Sequence, residues 1–389
     1  MLSIDAVVQE VSYTDPWCAS LPERLRMLAA GKFRVAYFYE KADNSTFRYR
    51  VYNMVQVLNA TGLDVSASYF FLDDLHRLGE IEDIADMLVI CRTKYDNRIN
   101  HLISAFQKRR KRVLFDIDDF VFNTDYVHLL LCTLDQDLAN PKVWDDWFSY
   151  SSRLGTTLKL CDGAITTNDY LAERIREFTG APVSVIPNFM NREQLDISDR
   201  VLAAKRSLKP GGNGLIHLGY FSGSPSHNRD FAIVAPALEA LLEEDSRLGV
   251  VVVGYIEPGP ALERFGSRVK RFPFHDFVNL QRLIGSVEFN LMPLQFNAFT
   301  NCKSELKYFE AAIVGTQSIA SPTHTYSAAI RDGKNGYIAQ AHQWASVIQR
   351  AIENIGTYND MVESAHSDVR VKYVWSNQRE TILRALGFD

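Results

Sequence analysis

Lys303, Ser304 and Glu310 lie close together in NCKSELKYFEAAIVGTQSIAS, residues 301–321, and their types and spacing could serve a phosphorylated ligand. Ser304 is a candidate helix N-cap, and Lys303 beside it adds a full positive charge to the unsatisfied N–H groups and dipole of a helix start. Glu310 follows on the same helical face, roughly 10 Å along the axis. A cation and a carboxylate so spaced suit the two ends of a nucleoside diphosphate: phosphates at the helix start, and a carboxylate accepting both ribose hydroxyls. Without further convergent groups, the same residues describe a surface Lys and Glu on an ordinary β-α-β unit.

Three other segments carry polar chemistry. GYFSGSPSHNRDF, residues 219–231, contains Gly223 and Ser224, whose small side chains let backbone N–H groups approach an anion. FDIDDF, residues 115–120, sets Asp116, Asp118 and Asp119 at the end of an apolar run. Mutual repulsion makes that cluster unfavourable without a ligand, a metal or a basic partner. STFRYRVYN, residues 45–53, offers Arg48, Tyr49 and Arg50 just before a helical period.

These residues need a scaffold, and the periodicity specifies one. Strand-like runs at 34–40, 64–70, 86–92, 112–118, 163–169 and 183–188 alternate with helical segments such as 49–60 and 97–109. The plan repeats at 215–221, 249–255, 269–274, 287–294, 316–321 and 336–341. Alternation of this kind predicts an α/β chain of two doubly wound, Rossmann-like domains, with ligand in a cleft at the carboxyl ends of the sheets. The expected division is 1–190, 191–372 and a tail at 373–389, with a polar, Gly- and Pro-bearing linker after Asn188 and a final amphipathic helix at 373–386.

A chain of 389 residues fits two domains, and its net charge of −5 argues against a nucleic-acid partner. The basic run KRRKR at 108–112 reads as a solvated helix end before a strand, or as a contact for an anionic surface. Five scattered cysteines without a C-x-x-C pair favour a reducing compartment and no zinc site. With no membrane-spanning apolar run and no signal-like start, a cytoplasmic location is expected. Peripheral attachment at the inner membrane face stays open through Leu129–Leu131 and the group Trp144, Trp147 and Phe148.

The two wound domains, I-P-N at 186–188 and E-A-A-I-V-G-T-Q-S-I-A-S at 310–321 together resemble retaining glycosyltransferases of the GT-B fold, family 4 and its relatives. The resemblance implies a nucleotide-diphosphate sugar donor bound by the second domain, a glycan or lipid-linked glycan acceptor bound by the first, and no obligatory metal. It also implies a C-terminal helix that crosses back to the first domain. By position, Glu310 holds the ribose, Lys303 and Arg229 meet the diphosphate, and Gly223, Ser224 and Ser304 donate to it, with His227 or Asn228 as alternatives to Arg229. Tyr49 and Arg50 face the donor or acceptor, and Asp118 and Asp119 meet acceptor hydroxyls, one of them orienting the attacking group. The family's first motif glutamate would fall at Cys302, and Glu305 is out of register for that role.

FDIDDF also resembles the first motif of haloacid-dehalogenase-like phosphatases, a competing reading as a Mg-dependent phosphohydrolase through Asp116 and Asp118. Phe120 stands where that family has a small hydroxyl residue, and the motif follows several strand-helix units rather than the first strand. A non-catalytic binding subunit is the third reading, motivated by Cys302.

Overall fold

The computed structural model describes residues 9–388 apart from positions 61, 63 and 213. Its strands are β1 Phe33–Phe38, β2 Val65–Phe70, β3 Met87–Cys91, β4 Arg112–Asp116, β5 Gly163–Thr166, β6 Val183–Val185, β7 Ile216–Ser222, β8 Leu248–Gly254, β9 Val269–Phe272, β10 Phe289–Met292, β11 Gln317–Ala320 and β12 Tyr337–Ile338. Each expected strand-like run overlaps one of them. They form two six-stranded sheets, ordered β2-β1-β3-β4-β5-β6 and β12-β11-β10-β7-β8-β9, and the pairings are parallel.

Central strands are covered by helices on both faces, which is why β8 reads LGVVVVG and is buried throughout. In each sheet the chain winds outward in one direction and then returns to wind in the other. The switch points lie between β1 and β3 in the first sheet and between β7 and β10 in the second. Loops diverge at such points and leave a crevice at the carboxyl ends of the strands.

The segment expected to be a loose linker is instead largely the helix Arg192–Arg206. Asn191 caps it by accepting from the Gln194 amide at 2.8 Å. Ile197, Val201 and Leu202 supply the buried stripe that its polar composition obscures. The tail also departs from one continuous helix. Met190 bridges Val374, a short turn follows at Trp375–Asn377, and the last helix runs over Arg379–Leu386. That helix returns to the first sheet's side: Arg112 Nη1 donates to the Leu386 carbonyl at 3.4 Å, and Phe388 meets Phe33 edge-on at 4.6 Å.

The basic run 108–112 is partly consumed by structure. Lys111 Nζ donates to the carbonyls of Glu82 and Ala85, both at 2.6 Å, and Arg109 pairs with Glu82 and Asp83. Leu130 and Leu131 are buried in the core and offer nothing to a membrane surface, whereas Phe148 is 43% exposed and stacks with Trp144. Among the described residues no helix is long and apolar enough to cross a membrane.

Candidate active site

The loops at the two switch points face each other across a cavity of about 610 Å³, within the usual range for small-molecule sites. Asp43–Thr46 after β1, Arg92 after β3, and Asp118 and Asp119 after β4 line one side, together with Arg48 and Tyr49. The other side is made by Ser222 at the end of β7, Gly223, Ser224 and His227 after it, Val253 and Gly254 at the end of β8, and Lys303, Ser304, Leu306, Lys307 and Glu310.

The helix carrying Glu310 spans Leu306–Ile313, with Glu305 at the N-cap position and no side-chain cap. Ser304 is therefore not the N-cap, and Lys303 precedes the helix rather than sharing its face. Ser304 instead accepts from Asn188 Nδ2 at 3.2 Å, because the crossover 186–188 packs directly against this turn. Gly315, at φ 72°, makes the left-handed exit from the helix that lets the chain enter β11. Gly254 has a stricter demand: its φ is 103°, and a Cβ there would lie 1.9 Å from the Ser222 carbonyl oxygen. The backbones of β7 and β8 thus approach closely at the cavity wall.

Glu310 is buried, and Tyr49 donates to its Oε1 at 2.5 Å while Gln194 Nε2 donates at 3.0 Å. Arg48 lies 3.6 Å from the same oxygen and stacks over Tyr49 and Phe277. These contacts, from both halves of the chain, fix the carboxylate's direction. Tyr49 and Arg48 reach the cavity from a widened turn, Arg48–Tyr52, in which the Asn53 amide bonds the Arg48 carbonyl five residues back. Such turns recur at functional sites.

Arg50 does not reach the cavity. It is 0% exposed and binds Asp116 through two hydrogen bonds at 2.8 and 3.0 Å, with Nη1 on the Ile186 carbonyl and Asn188 Oδ1. Its expected contact with substrate is thereby corrected to a structural one. The same pairing removes the phosphohydrolase reading, because Asp116 is buried in a bidentate ion pair and cannot attack phosphorus. Among the described residues no group of three or more His, Cys, Asp or Glu is placed to hold a metal ion.

Asp118 accepts from Thr46 Oγ1 at 2.9 Å and Arg92 Nη1 at 3.0 Å. Asp119 accepts from Arg92 at 3.0 Å and, across the cleft, from Lys303 Nζ at 2.8 Å. Burial alone would raise the Asp119 carboxyl, but Lys303 and Arg92 outweigh it and bring it down to about 2. A depressed carboxyl contributes stability that is fully present above its unfolded value and is lost as pH falls through the folded one. The stability gap between wild type and Asp119→Asn is accordingly expected to be about 2 kcal/mol at pH 7 and to close between pH ~4 and ~2, as read by urea unfolding. A gap that ignores acid would contradict the pairing.

Arg229 is the second correction. It is exposed and turns outward, donating to Asp135 Oδ1 at 2.8 Å and the Cys132 carbonyl at 2.6 Å. A short 3-10 turn, Pro225–His227, rotates the following residues away. His227 takes the inward place, with Nδ1 2.9 Å from Asp230 Oδ2; burial holds its pKa below the ordinary histidine value despite that carboxylate. Cys302 is fully buried among residues of the first domain's core, and its carbonyl accepts from Asn168 Nδ2 at 2.8 Å. It does not line the cavity.

Two cavity cations went unread in the sequence: Arg92 and Lys307. Arg92 ends the run DMLVICR at a switch point, a position that marks it in retrospect, and it sits at the uncommon φ of 36°. Lys307 is one helical turn before Glu310, a spacing that places both on one face.

Residues 216–354 match the family model described as Glycosyl transferases group 1. No curated protein sequence matches the chain. The structure is similar to Anabaena HepE solved in complex with UDP, with a TM-score of 0.59 at 13% identity, covering 90% of this chain and 99% of that one. It is similar to the sucrose-phosphate synthase of Thermosynechococcus elongatus, with a TM-score of 0.57 at 14% identity, covering 91% and 97%. WaaG, a glycosyltransferase involved in lipopolysaccharide biosynthesis, gives 0.55 at 12% identity, covering 91% and 100%. The fold is thus of the GT-B type, and its second half carries the glycosyltransferase group 1 sequence pattern.

Proposed function

We propose that the protein transfers a sugar from a nucleoside-diphosphate sugar to a hydroxyl of a glycan or glycoconjugate acceptor, with retention of anomeric configuration. The observation that carries the reading is the cavity itself: a braced carboxylate, Glu310, and two lysines, Lys303 and Lys307, line one cleft between two wound sheets. The family match on the second half supports it, as does the UDP recorded with HepE.

In this reading Glu310 accepts the ribose hydroxyls, Ser304 and the backbone around Gly223 and Ser224 donate to phosphate oxygens, and the lysines offset charge on the departing diphosphate. Asp118 and Asp119 face the acceptor side, where Asp118 orients the attacking hydroxyl. The acceptor oxygen bonds to the anomeric carbon as the bond from that carbon to the phosphate oxygen breaks. The acceptor proton passes to the departing phosphate, so no protein base or metal is required.

The test is turnover of UDP-, GDP-, dTDP- and CMP-sugars with a panel of glycan acceptors, with and without chelator. The anomeric proton coupling of the product is read by NMR. Retained configuration and indifference to chelator are expected; an inverted product or an absolute need for Mg²⁺ contradicts the mechanism. A second reading, a binding subunit without turnover, draws on Cys302 lying outside the cavity. Donor binding with no transfer across the panel would favour it.

A further inference from the structure

The cations that line the cavity are not equivalent. Arg92 bridges Asp118 and Asp119, Lys303 is held by Asp119, and Arg48 lies against Glu310 while donating to Gln194 and the Asn44 carbonyl. Lys307 differs. Among the described residues its ammonium makes no hydrogen bond or ion pair, and its recorded contact is with the Tyr220 ring, 5.1 Å from the centroid. Lys307 is partly buried and lines the cavity. A cation drawn out of water with no carboxylate in contact is unfavourable unless a ligand supplies one.

We propose that Lys307 is the principal receptor for the anionic diphosphate in this cleft, ahead of Lys303, which must first exchange Asp119 for the ligand. The inference rests on the reading of the cavity as a nucleoside-diphosphate site and names the residue that gives the site its anion affinity. Lys307 is in the first turn of the helix Leu306–Ile313, one turn before Glu310. A diphosphate on Lys307 and a ribose on Glu310 would therefore follow one helix face. Lys303, just before that helix, can join the outer phosphate once Asp119 releases it.

Protonation agrees with this geometry. Burial pushes the Lys307 ammonium down to about 8; Asp230 and Glu310 offset part of that shift, and Lys303 adds to it. An anion drawn against the amine raises its pKa again, so binding takes up a proton at mildly alkaline pH. Four further titratable groups facing Lys307 are each shifted away from that range. Burial raises Tyr220 and Tyr326 above their ordinary values and lowers His227 below its own, while the Asp230 carboxyl is held low by His227 and Gln295 against its burial.

The experiment is calorimetric titration of the full chain with inorganic pyrophosphate at pH 6.5 and pH 8.5, in buffers of different ionisation enthalpy. Wild type should bind pyrophosphate and, counted relative to Lys307→Met so that the ligand's own proton exchange cancels, take up protons at pH 8.5 but not at 6.5. Lys307→Met should weaken binding about tenfold or more, Lys303→Met should weaken it less, and Lys307→Arg should retain binding. Thermal melts confirm that each variant is folded, and the same proton count with sulfate, a dianion throughout this range, tests the idea in the unaltered protein. Absent pyrophosphate binding, affinity indifferent to Lys307→Met, or binding without proton uptake overturns the proposal. Lys307-dependent pyrophosphate binding alongside a nucleotide-sugar panel that gives no binding would support this assignment while sinking the transferase reading.

Discussion

Arg50→Met is expected to destabilise the protein by about 3–5 kcal/mol, because it strands the Asp116 carboxylate in a buried site. The pair is fully enclosed, and Arg50 is also the donor to Ile186 and Asn188, the residues that carry the chain from the first sheet to the second. Asn188 in turn donates to Ser304 at the cavity wall. Loss of the guanidinium therefore reaches the site indirectly, through the crossover. Urea unfolding of Arg50→Met and of the double variant Arg50→Met/Asp116→Leu separates the terms. The double variant should recover much of the loss, since it removes the unpaired charge along with its partner. A stable Arg50→Met protein with lost turnover would instead return Arg50 to a role in substrate contact.

Glu310→Ala carries the second large effect. A carboxylate accepting two ribose hydroxyls makes two charge-assisted hydrogen bonds, each worth about 1.5–3 kcal/mol. Donor affinity is therefore expected to fall by roughly a hundredfold or more. Tyr49 and Gln194 hold Oε1, so the carboxylate is aimed by the protein's own groups. Calorimetry with the tightest nucleotide measures the loss, and a thermal melt shows whether the variant remains folded. An affinity within a few-fold of wild type would remove Glu310 from the ribose contact.

The architecture was legible because parallel strands buried on both faces must be short apolar runs, and all twelve expected runs overlap a strand. The cavity's membership was legible where a residue lies just past the carboxyl end of a strand, as with Asp118 and Asp119 after β4 and Gly223 and Ser224 after β7. It failed where local winding departs from the regular helix. The widened turn at Arg48–Tyr52 aims Arg48 and Tyr49 into the cleft and Arg50 into the core, a choice that a 3.6-residue period does not reveal. The 3-10 turn at Pro225–His227 exchanges Arg229 for His227 in the same way.

Ser304 looked like a cap because its residue type favours one, yet the helix starts two residues later and Asn188 claims its hydroxyl. The helix Arg192–Arg206 was hidden by charged residues on its solvated side. Lys307 has no sequence signature, because what marks it is the lack of a contacting carboxylate among the described residues, and partners across sheets are not written in a linear spacing.

The central claim, that Glu310 reads the ribose of a nucleoside diphosphate bound in this cleft, is tested most directly by a two-by-two affinity cycle. The nucleoside diphosphate that binds best and its 2′,3′-dideoxy analogue are titrated into wild type and Glu310→Ala. Wild type should lose about tenfold or more on removal of the hydroxyls, while Glu310→Ala should bind both ligands equally weakly. An equal loss in both proteins, or none in wild type, would contradict the account.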